Sequence, residues 1–469
     1  MPTPDEPPDV PRPDGRSGQV PQQDAAQQDP LLVGLNRQIS RLALPALGAL
    51  LAEPTFLLVD TAIVGHLGTA QLAGVGVAGT ILTTAVGLSV FLAYGTTSLV
   101  ARRLGAGDLR AALSSGIDGV YLAVVIGAVL AVLGLFTAGT LVDGLGAGSE
   151  AAGYGTTYLT ISLAGLPAML VVLATTGVLR GLQDTRTPLV VAVAGAVLNT
   201  VLNVTFVYGL HWGVAGSASG TVITQNLMAV ALVVVVVRAA RRHQASLRPH
   251  VGGITGAGRT GIPLFLRTLA LRIAILATTA VAARQGMAAL AAHQVVTAVW
   301  NFLALGLDAI AIAAQALTGR ALGAGDLPAA RALTRAMVRW GLLAGAVVGV
   351  VLLAIHVVVG RVFSPDADVR VAIAAAMIAL AIALPLAGFV FVLDGVLIGA
   401  GDGWYLAWTG GLNLVGYLPA LVVLWVWPPG GWVGLMWLWI AHVGLYLGLR
   451  ALTLGLRYRG DRWLVPGVA

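Results

Sequence analysis

Apolar residues fall in long runs from Leu42 almost to the end of the chain, broken by short stretches of glycine, arginine or aspartate. Each run is long enough for a helix to cross about 30 Å of hydrocarbon. The breaks place twelve spans at 42–64, 72–99, 115–140, 155–178, 188–209, 213–237, 262–284, 290–317, 335–359, 371–397, 404–427 and 431–455. A membrane barrel would instead show short alternating segments, and none occur. The pattern predicts an all-α polytopic membrane protein with twelve transmembrane helices.

The runs repeat. A shift of 218 residues lays Pro45 on Pro263, Gly68 on Gly286 and Arg102 on Arg320. It lays LGAGDL at 104–109 on LGAGDL at 322–327, Pro167 on Pro385, and Gly213 and Gly216 on Gly431 and Gly434. One offset running from first span to last implies a duplicated six-helix unit. Six is even, so the copies share one orientation, an arrangement of secondary transporters with a site between two lobes. The predicted divisions are a disordered tail at 1–30, an N-terminal lobe at 31–237, a linker at 238–260 and a C-terminal lobe at 261–469.

Composition sharpens this. The chain has 469 residues, 58% hydrophobic and 10% charged, with a net charge of +7 and no cysteine. Disulfides, thiolate metal sites and cysteine nucleophiles are excluded. The basic residues are all arginine and gather in the loops after even-numbered spans: Arg102, Arg103 and Arg110; Arg180 and Arg186; Arg238 to Arg259; Arg320 to Arg339; and Arg457 to Arg462. The positive-inside rule then puts both termini in the cytoplasm, and the inner (plasma) membrane is the expected location. The charge reports topology, so a nucleic-acid partner is not expected. The tail is rich in Pro, Asp and Gln and is no signal peptide, leaving the first span as its own insertion signal.

The informative residues are the polar ones inside spans, because charge at bilayer depth is costly. In LAEPTFLLVDT, Glu53 and Asp60 lie seven apart and share a helix face. Each is a candidate reversible proton carrier; the alternative is a carboxyl held by hydroxyl or backbone donors. Pro45 and Pro54 make this helix a candidate hinge or a static kink. Asn199 and Asn203 share a face of the fifth span, and the sixth carries Thr221, Thr224, Gln225 and Asn226. Amides and hydroxyls can satisfy a carboxyl in either protonation state or coordinate sodium. The second half differs: the position 218 beyond Asp60 is Thr278, and its polar set is Arg267, Arg272, His293, Gln294, Asp308 and Asp394, a candidate substrate cavity or a set of structural pairs. Seven tryptophans between Trp404 and Trp439 fit interfacial anchoring.

Other motifs carry less. GVGVAG at 74–79 spells a dinucleotide fingerprint but lies inside a span, where close helix packing explains it better. The sequon Asn203-Val-Thr205 is also intramembrane. No histidine spacing suits a metal, and no nucleophile has a nearby base, so an enzyme is not expected.

LALPALGALLAEPTFLLVDTAIVGHLG (42–68), LGAGDL, VLNTVLNVTFVYG (197–209), AAHQV (291–295) and FVLDGVLIGAGD (391–402) resemble the multidrug and toxic compound extrusion family, in its DNA-damage-inducible-protein-F branch. The resemblance covers the twelve spans in order. It implies two six-helix lobes around a cavity, working as a monomer without a cofactor and exporting drug-like or amphipathic compounds in exchange for protons or sodium. It makes Asp60 the cation-coupling carboxylate, grouped with Asn199 and Thr221. Asn203 departs from the family, where aspartate is common, and this favours protons over sodium. Asp394 matches a tenth-helix aspartate of another branch, whereas Arg267 lies near an acidic position of that branch, so no metal site is carried over. Two alternatives are a lipid or polysaccharide-precursor flippase, supported by Arg267 and Arg272, and an intramembrane prenyl transferase, for which the paired acidic clusters are missing.

Overall fold

The computed structural model describes residues 30–146 and 148–467. The predicted disordered tail therefore lies outside the described residues, except Pro30, which opens the first helix. The first half contains α1 (Pro30–Gly65), α2 (Thr69–Leu88), α3 (Phe91–Gly105), α4 (Leu109–Gly144), α5 (Ser149–Leu163), α6 (Leu166–Gly181), α7 (Arg186–Val204) and α8 (Gly213–Arg242). The second contains α9 (Val251–Arg284), α10 (Met287–Gly323), α11 (Leu327–Phe363), α12 (Ala367–Gly399), α13 (Gly403–Val426), α14 (Gly431–Trp439) and α15 (Leu447–Arg459). A π-helical segment, Thr205–Gly209, follows α7, and another, Ile440–Tyr446, joins α14 to α15.

Among the described residues eleven segments can cross a membrane, α2 with α3 forming one and α14 through α15 another. A twelfth is the pair α5 and α6, bent by 52°. The bend falls just before Pro167, which the start of a helix tolerates because it needs no N–H there. Its image Pro385 instead sits inside the unbroken α12. The repeat is also visible in the turns. Gly107 and Gly325, both with positive φ, precede Asp108 and Asp326, which cap α4 and α11 by accepting from Ala111 and Ala329 N–H at 2.7 and 2.9 Å.

The lobes exchange the starts of their first helices. Ile39, Leu42 and Ala43 of α1 pack in the second lobe's core with Leu307, Ile310 and Met337. After Pro45 the helix crosses over, Gly48 facing Leu189 of α7 and Val64 joining a core with Leu82 and Leu159. The start of α9 mirrors this in the first lobe, where Asp118 accepts from His250 N–H at 3.0 Å and Gly261 lies on the Phe91 ring. Beyond Gly261, Pro263 rests on Gly403 and Leu264 enters the second lobe's core. Helix α8 continues to Arg242 and α9 starts at Val251, so the non-helical part of the connection is 243–250.

Loops carrying most of the arginines share one face, the basic face. Here the lobes are joined: Ser98 Oγ donates to Gly399 O at 3.2 Å, Gln315 Nε2 to Tyr94 O at 2.6 Å, and an Arg320 guanidinium nitrogen to Gln183 Oε1 at 2.6 Å. Gly74 of GVGVAG packs against the backbone of Ala151 and Gly155, the helix-packing role expected of it. Six of the seven clustered tryptophans are exposed on the outer surface; Trp439 is buried.

Candidate functional site

Asp60 is 4% exposed on α1, between α5, α7 and α8 of the first lobe. Asn203 Nδ2 and Ser217 Oγ both donate to its Oδ1 at 2.6 Å, and the Tyr158 hydroxyl donates to Oδ2 at 3.2 Å. Asn203 Nδ2 also donates to Asn199 Oδ1 at 3.1 Å, and Asn199 Nδ2 to Thr221 Oγ1 at 3.2 Å. Among the described residues no cation lies within ion-pair distance of Asp60. The carboxyl is held by neutral donors from three helices.

Helix spacing explains the convergence. Asn199 and Asn203 lie one turn apart on α7, as do Ser217 and Thr221 on α8, so each pair presents one face. Gly220 lets the Asn203 amide lie directly against α8, where a Cβ would displace the Asn203 Oδ1. Among the described residues, buried Asn203 Oδ1 on α7 and Thr224 Oγ1 on α8 have no hydrogen-bond partner. Sequence reasoning named Asp60, Asn199, Asn203 and Thr221, which the structure brings together, but missed Ser217 and Tyr158. The available signal was their spacing: Ser217 is one turn before Thr221, and Tyr158 one turn before Ser162. Gln225 and Asn226 stay out of the pocket; Asn226 bonds its own helix through Val222 O.

Glu53 is apart from this network. It is exposed, two turns nearer the basic face, and makes no side-chain hydrogen bond among the described residues. Pro45 and Pro54 both lie inside the continuous α1.

The second-lobe candidates fall into separate clusters, with His293 apart from Arg267 and Asp394. Asp394, buried on α12, is gripped by both Arg267 and Arg450: Arg267 Nε donates to Oδ1 at 3.0 Å, a second Arg267 nitrogen reaches Oδ2, and Arg450 contacts Oδ2 at 3.3 Å. Arg450 was not singled out from sequence. The Arg267 guanidinium also lies over the Tyr94 ring of α3 at 6.0 Å. Asp308 has no ion pair among the described residues, Arg272 rests against Gly87 of α2, and Gln294 is exposed. His293 belongs to a different cluster, bonded to Thr279 at 3.2 Å and lying 5.7 Å from the Trp439 ring.

That cluster is the repeat image of the Asp60 pocket. The shift of 218 carries Asp60 to Thr278, Asn199 to Tyr417, Thr221 to Trp439 and Thr224 to His442. Thr278 Oγ1 is 2.8 Å from the Tyr417 hydroxyl, and both lie 3.5 Å from His442 Nδ1. Among the described residues no carboxylate bonds to this cluster.

Comparison with known proteins follows the same plan. A family model described as MatE matches residues 45–205 and 263–421, beginning at Pro45 and at its repeat image Pro263. The chain is 31% identical over 443 residues to the chloroplastic Protein DETOXIFICATION 44 of Arabidopsis thaliana, covering 92% of this chain and 84% of that protein. It is 28% identical over 434 residues to DNA damage-inducible protein F of Escherichia coli K12, covering 91% and 93%. A solved MATE transporter of Vibrio cholerae in its bent form superposes with a TM-score of 0.83 at 22% identity, covering 92% of this chain and 98% of that one.

Proposed function

The chain belongs to the MatE family of membrane transporters, and on that footing we propose that it is a proton-coupled antiporter exporting drug-like or amphipathic compounds by alternating access. The observation that carries the proposal is the Asp60 pocket: one deeply buried carboxyl, with no ion pair among the described residues, held by Asn203, Ser217 and Tyr158. In this reading the basic face is cytoplasmic, the protein is a monomer of the plasma membrane, and the basic-face contacts close the cytoplasmic side. Relatives named for multidrug resistance, such as the probable NorM protein of Thermotoga maritima at 24% identity, support the substrate class.

The chemistry follows from donor counting. An ionised Asp60 accepts all three hydrogen bonds. Protonation turns one oxygen into a donor, which then faces the donors already aimed at it. Rotation of the Asn203 amide resolves the conflict, because its unpartnered Oδ1 can accept the new O–H. That rotation breaks the Asn203 bonds to Asp60 and Asn199 and disturbs the packing of α1 on α7 and α8. The rearrangement passes to α1, whose crossing at Pro45 joins the lobes, and Pro54 removes a further helix bond below Asp60. A proton drives transport only by binding one lobe arrangement better than the other. Glu53, in the direction of the basic face, is the proposed relay.

Protons are favoured over sodium because the pocket offers a single carboxylate. The flippase reading drew on Arg267 and Arg272; Arg267 is spent on Asp394, and the Arg272 side chain of α9 rests against Gly87 of α2. The test is efflux from proteoliposomes under imposed gradients, using a chemically varied substrate panel. A pH gradient should drive export and a sodium gradient should not; the reverse result would overturn proton coupling.

A further inference from the structure

The LGAGDL repeats have no part in the Asp60 chemistry, yet they meet at the lobe boundary. Gly105 of the first packs on the backbone of Arg320 and Ala324, and Gly323 of the second on the backbone of Arg102. These contacts are reciprocal, since Gly323 and Arg320 are the repeat images of Gly105 and Arg102. A side chain at either glycine would push the lobes apart. The paired turns form a two-sided clasp at the basic face.

The two arginines of the clasp have different fates. Arg320 is exposed and reaches Gln183. Arg102 is 2% exposed and pairs with no carboxylate among the described residues. Its guanidinium is surrounded by carbonyls of the second half. One nitrogen donates to Ala400 O, at the C-terminal end of α12; Nε donates to Gly467 O at 3.0 Å; another nitrogen donates to Val465 O and Gly467 O, each at 2.7 Å. Gly467 N–H closes the loop by donating to Leu322 O at 2.9 Å, in the opposite LGAGDL turn. The segment is anchored upstream: Trp463 is 1% exposed, and Asp461 pairs with Arg331 at 2.8 Å.

The carbonyls matter electrostatically. A buried guanidinium loses its hydration, and bonds to a charged donor are worth roughly twice neutral ones. Without Val465 and Gly467 it would retain only Ala400. Separation of the lobes at this face would pull Arg102, which moves with the first lobe, out of a cage built by the second.

We propose that residues Asp461–Gly467 are a strap that locks the basic-face clasp, and that the basic face opens only when Arg102 leaves this cage. The inference rests on the lobes rocking as proposed above, but not on which group carries the proton.

The test uses the absence of native cysteine. Spin labels at Arg110→Cys and Arg335→Cys, both exposed and on opposite lobes, report basic-face separation by pulsed electron resonance in nanodiscs. In a chain ending at Leu464, which keeps the Trp463 anchor, the ratio of separated to closed populations should rise at least about tenfold, the worth of a single one of the three Arg102 hydrogen bonds it loses. Full-length Arg102→Lys, which keeps the charge but loses the planar fork, should move the ratio the same way and decides the matter if the shortened chain melts early. Unchanged distances in both variants, when substrate still separates the full-length lobes, would overturn the strap alone. Failure of every protein to separate would overturn the rocking reading and the strap with it.

Discussion

The two lobes share one plan but fill its matching pocket with opposite chemistry. In the first, Asp60 receives bonds from an amide, a hydroxyl and a phenol, and Asn203 Oδ1 has no partner among the described residues. In the second, the same repeat position is Thr278, surrounded by Tyr417, Trp439 and His442. The carboxylate the second lobe does bury, Asp394, is gripped by two arginines. Duplication supplied the scaffold twice and ion chemistry once. A carboxyl held by neutral donors can change protonation by turning an amide, whereas one between two guanidinium groups is locked in ion pairs that must break first. The first lobe therefore holds the switch and the second a rigid brace.

The strongest way to break this comparison is to move the carboxylate. Asp60→Asn with Thr278→Asp should show no pH-driven efflux, a loss of more than about a hundredfold, because the second pocket lacks the donor set around Asp60. Restored coupling in proteoliposomes would mean that position, not surroundings, makes the site. Next in size is the brace. Arg267→Met leaves Asp394 with one partner and should cost about 3–5 kcal/mol in stability, read by thermal unfolding in detergent. Asp60→Asn should lower the melting temperature much less, and equal losses would erase the distinction between switch and brace.

Smaller effects sharpen the donor count. Ser217→Ala removes one of two bonds to Asp60 Oδ1, a change of about 1.5–3 kcal/mol, and should slow pH-driven efflux about tenfold while leaving substrate binding in place. An unaltered rate would remove Ser217 from the switch. Smallest is Arg331→Gln at the exposed pair with Asp461, where unfolding should shift by less than about 1 kcal/mol.

Much of this was legible in the chain because membrane helices obey one strong rule, that polar groups in hydrocarbon must face each other. The spans, the repeat and the shared face of Asn199 and Asn203 follow from periodicity and offset, whereas the grouping of Asp60 with Asn199 and Thr221 came from the family resemblance. Ser217 and Tyr158 escaped because single hydroxyls in apolar runs are common and usually bond their own helix, as Thr200 does to Ala196 O. Arg450 escaped although it falls within the twelfth span at 431–455, because a single arginine near the end of a span reads as an interfacial anchor. The exchanged starts of α1 and α9 and the cage around Arg102 could not be seen at all. They depend on contacts between residues hundreds of positions apart, and nothing in the local pattern at 461–467 points to Arg102.

The central claim is that protonation of Asp60 couples the ion to export. Its most direct test is pH-gradient-driven efflux by Asp60→Asn in proteoliposomes, beside binding of the same substrate. The account predicts near-complete loss of gradient-driven export with a folded, substrate-binding protein. Full export by Asp60→Asn under the same gradient would contradict it.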